Sequence, residues 1–396
     1  MTDTIIRVAA RGEGVSASGK HVALAAPGDT LAEDGMLVPG PHHQAPPCRH
    51  FPRCGGCQLQ HLDDESYATF VRDRVVGALA GQGLSAEVRP ALVSPPRTRR
   101  RVTLHGERRG RSVTLGFSEE GSHRLIDLKE CWIMLPELFA IVAPLRALLA
   151  EHGAGAGRFD IHLARVDQGV DVLIGSKMAD GLAATEAVTA FAQRQGLARL
   201  TVDQGDGPET RWEPEPVSIT LGGVPVPFPP ASFLQATAEG EAALVEAVRE
   251  TVAGAATTAD LFAGLGTLTF ALAGKVYAGE AARDAILSLK AAAARAGRTV
   301  FAEHRDLYRR PLTTPELDRF DAVVLDPPRA GARDQMPALA ASRVARIAYV
   351  SCNPASFARD AATLVAGGYR LDWVQPVGQF RWSTHVELAA AFSRQG

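Results

Sequence analysis

Thr258-Ala-Asp-Leu-Phe-Ala-Gly-Leu-Gly-Thr267 is the stretch on which the fold turns. An apolar run carrying an acid passes through Gly264-x-Gly266 into a helical pattern over residues 268–273, the way an α/β crevice brings backbone amides up to a nucleotide-type ligand. Glu280 stands 20 residues past Asp260 and closes the next strand, residues 275–279, where a carboxylate can bind two ribose hydroxyls. Further strands are expected at 298–302, followed by Asp306, and at 321–325, followed by Asp326. With 347–351 they complete an alternating β/α series, hence an α/β fold with a doubly wound sheet. Ligands sit at the carboxyl ends of such strands, so Phe262, Glu280, Asp306, Asp326 and Cys352 are expected to converge on one crevice.

Ile-Ala-Tyr-Val-Ser-Cys-Asn-Pro over 347–354 puts Cys352 at a strand-to-helix turn. Pro354 suits the first helical position and Asn353 the cap. A thiol beside that positive helix end is expected to ionise more easily than usual. The glycine fingerprint departs from a nicotinamide site, because Thr269 replaces its third glycine and no phosphate cradle forms. S-adenosylmethionine has ribose hydroxyls and no phosphate, so it suits this loop. Asp326-Pro-Pro resembles the D-P-P-Y of amino methyltransferases, but Arg329 fills the place of the base-stacking aromatic and argues against amino-group methylation. Methylating carbon 5 of a pyrimidine needs a thiolate to add at carbon 6 and a base to remove the carbon-5 proton afterwards. Glu387, opening the apolar final strand, is the candidate base.

The chain has 396 residues, 46% apolar and 22% charged, with a formal charge of -2. That describes a globular protein of two or three domains and excludes a uniformly basic nucleic-acid binder. No signal peptide or membrane span is legible, so a cytoplasmic location and no membrane partner are expected. Cys48, Cys54 and Cys57 form a C-x5-C-x2-C cluster, and Cys131 is the one further cysteine in that half. Four thiolates fit a structural zinc or a 4Fe-4S cluster. The spacing lacks the two close CxxC pairs usual for zinc, which favours iron and sulfur.

Residues 61–82 predict an amphipathic helix around Tyr67, Phe70, Val71, Val75 and Leu79. Residues 97–111 carry seven Arg against one Glu in strand-like sequence, a basic ribbon able to lie along a phosphate backbone. Residues 4–40 alternate β-prone segments with Gly and Pro breaks, as a small β module would. Residues 203–230, rich in Gly and Pro, predict a hairpin-bearing linker and a boundary near 230, followed by a helix over 241–252.

Taken together, DLFAGLG, DPPRAGA, SCNPASFARD and HVE, with SFLQ at 232–235 and the upstream CGGC and ECWI, resemble the RNA uracil-5 methyltransferase family, specifically its iron-sulfur branch acting on 23S ribosomal RNA. The likeness spans about residues 45–396. It implies Cys352 as nucleophile and Glu387 as proton-abstracting base. It also implies Gln235, Phe262, Thr267, Glu280, Asp306 and Asp326 around S-adenosylmethionine, with Cys48, Cys54, Cys57 and Cys131 on a 4Fe-4S cluster. Thr267 stands where relatives often have Asn. The implied organisation is a truncated TRAM-like β module over 1–44, a mixed α+β iron-sulfur and RNA-binding domain over 45–230, and a Rossmann-like methyltransferase domain over 231–396. The expected partner is RNA, 23S ribosomal or else transfer RNA, and the chain is expected to act as a monomer. The competing reading is a non-catalytic iron-sulfur protein that binds RNA or senses redox state, which the joint presence of Cys352 and Glu387 disfavours.

Overall fold

The computed structural model describes residues 3–394. Residues 3–38 build a five-stranded antiparallel sheet. Its turns are fastened by Asp29, a fully buried carboxylate that accepts from the amides of Ala26 and Gly40 at 2.7 Å and from His43 Nδ1 at 2.8 Å.

Helix α1 (Asp64–Ala80) starts where the Asp63 side chain accepts the Ser66 amide, with Asp64 and Glu65 in its positive first turn. Its buried face is Tyr67, Phe70, Val71, Val75 and Leu79, the spacing of one helical stripe. Each such side chain contributes roughly 1.5–3 kcal/mol by leaving water, so this stripe decides where the helix docks. It docks on the C-terminal part of the chain, and Tyr67 Oη donates to the carbonyl of Phe380 at 3.0 Å. Short strands Glu87–Val88 and Leu92–Val93 then join the edge of the C-terminal sheet. Residues 64–93 therefore pack with elements that lie beyond residue 230.

The middle of the chain makes a seven-stranded sheet from β1 (Arg101–Arg109), β2 (Ser112–Ser118), β3 (Leu125–Asp127), β4 (Gly157–Val166), β5 (Gly169–Gly175), β6 (Leu197–Asp203) and β7 (Pro208–Trp212), in the order β3-β2-β1-β4-β5-β6-β7. Helices α2 (Pro136–His152) and α3 (Leu182–Arg194) pack on the sheet and on each other, hence on one face of it. The opposite face carries Thr103, His105, Asp160 and His162, aligned by the pairs Thr103 with His162 and His105 with Asp160. Deep in this sheet Arg199 grips Asp171 through two bonds of 2.8 and 3.0 Å and gives a third to the carbonyl of Phe228.

A hairpin, β8 (Ser218–Leu221) and β9 (Val224–Pro227), leads through α4 (Ala238–Thr251) into the C-terminal sheet. That sheet contains β10 (Thr257–Leu261), β11 (Lys275–Glu280), β12 (Val300–His304), β13 (Ala322–Leu325), β14 (Arg346–Ser351), β15 (Arg370–Gly378) and β16 (Glu387–Ser393). Its order is β12-β11-β10-β13-β14-β16-β15, with β10 to β14 mutually parallel and β16 antiparallel to both neighbours. Helices α5 (Arg283–Arg295) and α6 (Pro354–Ala366) are among its crossovers. The strands are buried on both faces, which is why β13 and β14 read as continuous apolar runs.

Candidate active site

Parallel strands end together. The pairs Leu261 with Gly279 and Leu325, Gly279 with Glu303, and Leu325 with Tyr349 bring the carboxyl ends of β10 to β14 to one edge. Phe262, Glu280, Asp306, Asp326 and Cys352 therefore sit along that edge, as the alternating pattern predicts. Antiparallel β16 enters the sheet at the same edge, because Ser351 pairs with Leu388 and Glu387 is the strand's first residue.

The loop after β10 is held in a costly conformation. Phe262 has a φ of 65°, unusual for a side-chain-bearing residue, and donates its amide to the Gly279 carbonyl at 3.0 Å. Gly264, at φ 56°, donates to Glu280 Oε2 at 2.9 Å, while Glu280 Oε1 takes the Ala282 amide at 2.6 Å. A carboxylate offers about four lone pairs, so Glu280 keeps capacity for further donors. Thr267 lies in the turn that follows, partly exposed. The helix expected over 268–273 is only a short 3-10 turn, Thr269–Ala271. It stops because the Thr269 hydroxyl is committed to buried Asp260 at 2.5 Å, Leu272 is already extended, and Gly274 turns at a φ of 73°. Asp306 caps the turn beyond β12 by accepting the amides of Tyr308 and Arg309 at 3.0 and 3.2 Å, and the Tyr308 ring lies 5.5 Å from that of Phe262.

Asn353 caps α6 as predicted, its side chain accepting the Ala355 amide at 3.1 Å with Pro354 next in line. The expectation of an acidified Cys352 thiol does not hold. Burial, then the Glu387 and Asp326 carboxylates, push it up to about 11, and Arg329 opposes them only in part. A helix end acts over one turn, and here two carboxylates and desolvation outweigh it. Glu387 is itself pushed up to about 8, by burial first and then by Asp326, with the Gln379 amide opposing. Asp326 rises to about 7 through burial and Glu280, against a 3.2 Å bond from Gln235 Nε2. Asp260 also rises to about 7, chiefly through burial, and its Oδ1 has no hydrogen-bond partner. Carboxylates gathered this closely make a crevice that favours a positively charged occupant.

Sequence reasoning missed Gln379. Its Oε1 accepts the Ala236 amide at 2.9 Å, which fixes the amide's orientation, and its Nε2 donates to Gln235 Oε1 at 2.8 Å. That bond in turn leaves the Gln235 Nε2 facing Asp326. Nothing in the string Gly-Gln-Phe signals this.

Cys352 opens into a cleft of about 750 Å³ lined also by Arg329, Phe380, His385, Arg99 and Arg101. The basic ribbon is thus only partly a solvent-facing row. The Arg99 guanidinium lies 5.4 Å from the Phe380 ring, Arg100 donates to the Gln235 carbonyl and pairs with Glu241, and Arg101 donates to the Leu234 carbonyl. The SFLQ segment lies against this part of the ribbon and takes up its donors.

Cys48, Cys54, Cys57 and Cys131 line a single cavity with Phe51, Phe117 and Trp132. A Cβ on Gly56 would lie 3.3 Å from Phe117 and 3.6 Å from Cys54 Sγ, so the glycine lets the chain wrap closely here. Burial pushes the Cys54 and Cys57 thiols up to about 11 and about 12, and their cysteine neighbours add to it. Among the described residues no three His, Cys, Asp or Glu side chains are grouped to hold a single metal ion. Gly56 and Phe117 line this cavity and the Cys352 cleft alike.

The model of the tRNA (uracil-5-)-methyltransferase family matches residues 227–395. A Zymomonas mobilis protein described as an uncharacterized RNA methyltransferase is 50% identical over 98% of this chain and 99% of its own length. The 23S rRNA (uracil(1939)-C(5))-methyltransferase of Chromohalobacter salexigens is 33% identical over 90% of this chain and 78% of its own. Among solved structures, the Pyrococcus abyssi tRNA (uracil-54, C5)-methyltransferase in complex with S-adenosyl-L-homocysteine shares the fold with a TM-score of 0.77, covering 99% of both chains at 24% identity.

Proposed function

The chain belongs to the RNA uracil-5 methyltransferase family, and from that membership we propose that it forms 5-methyluridine in RNA with Cys352 as nucleophile and Glu387 as base. The observation that carries this reading is the meeting of a thiol and a buried carboxylate at one end of β14 and β16. Addition of Cys352 Sγ to carbon 6 of uracil loads electron density onto carbon 5, the carbon to be methylated. S-adenosylmethionine, when bound, supplies the methyl group from a sulfonium. Glu387 then takes the carbon-5 proton, and the electron pair released re-forms the ring double bond as Cys352 leaves. A uridine held in folded RNA has to leave its stack to reach the cleft.

The donor set fits the methyl donor. Glu280 and Asp306 end adjacent strands and suit hydroxyl groups, and Phe262, Thr267, Gln235 and Asp326 complete the surround we assign to it. The four cysteines suit a 4Fe-4S cluster by number and softness, and they line one cavity. Such a cluster fastens the connector before α1 to the segment after β3. We keep the division into a β module over 1–44, a central unit over 45–230 and a methyltransferase unit over 231–396, with residues 64–93 reaching across. For the substrate we favour 23S ribosomal RNA, on the 33% identity to an enzyme of that description. Mapping 5-methyluridine in ribosomal and transfer RNA from cells lacking the protein tests this. Loss at one ribosomal position is expected, and loss in transfer RNA alone overturns the choice of substrate.

A further inference from the structure

The geometry points to a second RNA-binding groove, far from Cys352, that holds the phosphate backbone of the substrate some nucleotides away from the target uridine. This deepens the proposed function and rests on it. The groove has a volume of about 530 Å³ and lies at the edge of the central sheet where β1 ends, β4 begins, and β5 and β6 end. Arg108, Arg158 and Lys177 supply its charge. Some basic groups of the chain are held by carboxylates within 4.0 Å, among them Arg53, Arg89, Arg100, Arg146, Arg165 and Arg199. Among the described residues the three in the groove have none. Arg108 and Arg158 bond only to carbonyl oxygens, of Leu149 and Gly155 and of His123. Asp203, the one acid in the lining, has Oδ1 turned to the amides of Gly205 and Gly207.

Three unpaired cations around one concavity, in a chain of formal charge -2, are an electrostatic footprint for a polyanion. One wall is residues 153–157, Gly-Ala-Gly-Ala-Gly, whose small side chains let a sugar-phosphate backbone come close. No aromatic side chain in the lining is exposed for bases to stack on, since Phe159 is buried. The groove is built for phosphates rather than for reading sequence.

Strand β1 ties the groove to the chemistry. Its Arg101 and Thr103 line the Cys352 cleft and its Arg108 lines the groove. Seven residues at about 3.3 Å each separate Arg101 from Arg108, so the two sites lie about 23 Å apart, the length of about seven stacked nucleotides at ~3.4 Å per phosphate. The helix-free face carries Thr103, His105 and His162 between Arg101 and Arg158, a polar track, while Arg108 turns to the helix side, where it bonds to Leu149 and Gly155.

The test is direct binding of fluorescent, mixed-sequence single-stranded RNA of about 20 and about 6 nucleotides, each containing uridine, to the full chain and to Arg158→Gln/Lys177→Gln. Both side chains are exposed, so an unchanged melting temperature is expected. The 20-mer should bind the variant about tenfold more weakly, and its slope of log Kd against log salt should fall by about 1.4, at ~0.7 per lost single-strand phosphate contact. Binding of the 6-mer should not change. Equal 20-mer affinity and slope in variant and parent overturn the proposal, as does equal weakening of the 6-mer. Polyglutamate displacing the 20-mer from the parent as well as RNA does would instead assign the groove to an acidic protein. Methyl transfer is measured separately, so its absence counts against the proposed reaction and not against the groove.

Discussion

Ser351 in β14 is paired with Leu388 in β16, and that register sets Cys352, one residue beyond the first, beside Glu387, one residue before the second. A slip of one residue would turn the carboxylate to the other face of the sheet. If Glu387 removes the carbon-5 proton, Glu387→Gln still allows Cys352 to add to the ring but blocks its departure. The variant is expected to lose at least about a hundredfold in turnover and to accumulate an RNA adduct that survives denaturing electrophoresis. Cys352→Ala should show neither turnover nor adduct. A variant at position 387 that turns over normally would remove the carboxylate from the mechanism.

The same carboxylate dictates a pH dependence. With Glu387 pushed up to about 8, most of it is protonated at neutral pH and cannot act as base. The kcat/KM of the parent should rise steeply up to about pH 8 as Glu387 ionises and keep rising above it, because the Cys352 thiol, pushed up to about 11, is still mostly protonated there. Stability moves the opposite way. The folded chain keeps a proton that the unfolded chain, with an ordinary value of 4.5, has already released, so this group weakens folding progressively as pH rises from about 4.5 to about 8. Glu387→Gln removes the cost and should stabilise the chain by roughly 1–3 kcal/mol at pH 8, with little change at pH 4.5. Denaturant titrations of both chains at the two pH values measure it.

Much of the methyltransferase half is legible because parallel strands buried on both faces must be apolar runs, and their ends must carry whatever the ligand needs. Phe262, Glu280, Asp326 and Cys352 follow from that rule alone. What the sequence hides is the neighbourhood. Acidification of Cys352 is the right inference from Asn353 and Pro354, and it fails because the thiol is buried and because Glu387 and Asp326, 35 residues after and 26 before, share its pocket. The same holds for Arg100 and Arg101, which look like part of a surface ribbon until the Gln235 and Leu234 carbonyls are seen to take their donors. The role of Gln379 depends on the amide of Ala236, 143 residues away.

Asp171 and Arg199 give a prediction about stability alone. Both are buried, and burial holds the Asp171 carboxyl above its ordinary range even with the guanidinium in place. Asp171→Ala strands a buried charge and should cost about 3–5 kcal/mol, whereas Asp171→Leu/Arg199→Met, which removes both charges, should cost much less. Urea unfolding followed by far-ultraviolet circular dichroism separates the two. Equal losses would mean that the pair's hydrogen bonds, and the one to Phe228, matter more than its charge.

The cysteine-lined cavity carries the last prediction. Its thiols are buried and hard to ionise, so filling the site must stabilise four thiolates at once, which iron-sulfur clusters and zinc both do. Anaerobic reconstitution of the chain with iron and sulfide should give a brown protein with broad visible absorbance and a raised melting temperature. Cys57→Ala should lose both, and Cys352→Ala should keep both, since that thiol belongs to the neighbouring cleft. A colourless protein stabilised only by zinc would replace the cluster with a structural ion. The shared wall of Gly56 and Phe117 gives the experiment a functional arm. If the cluster serves as a fastener, its one-electron reduction should leave methyl transfer unchanged. Reversible loss of turnover on reduction, without unfolding, would make it a redox control on the adjacent cleft.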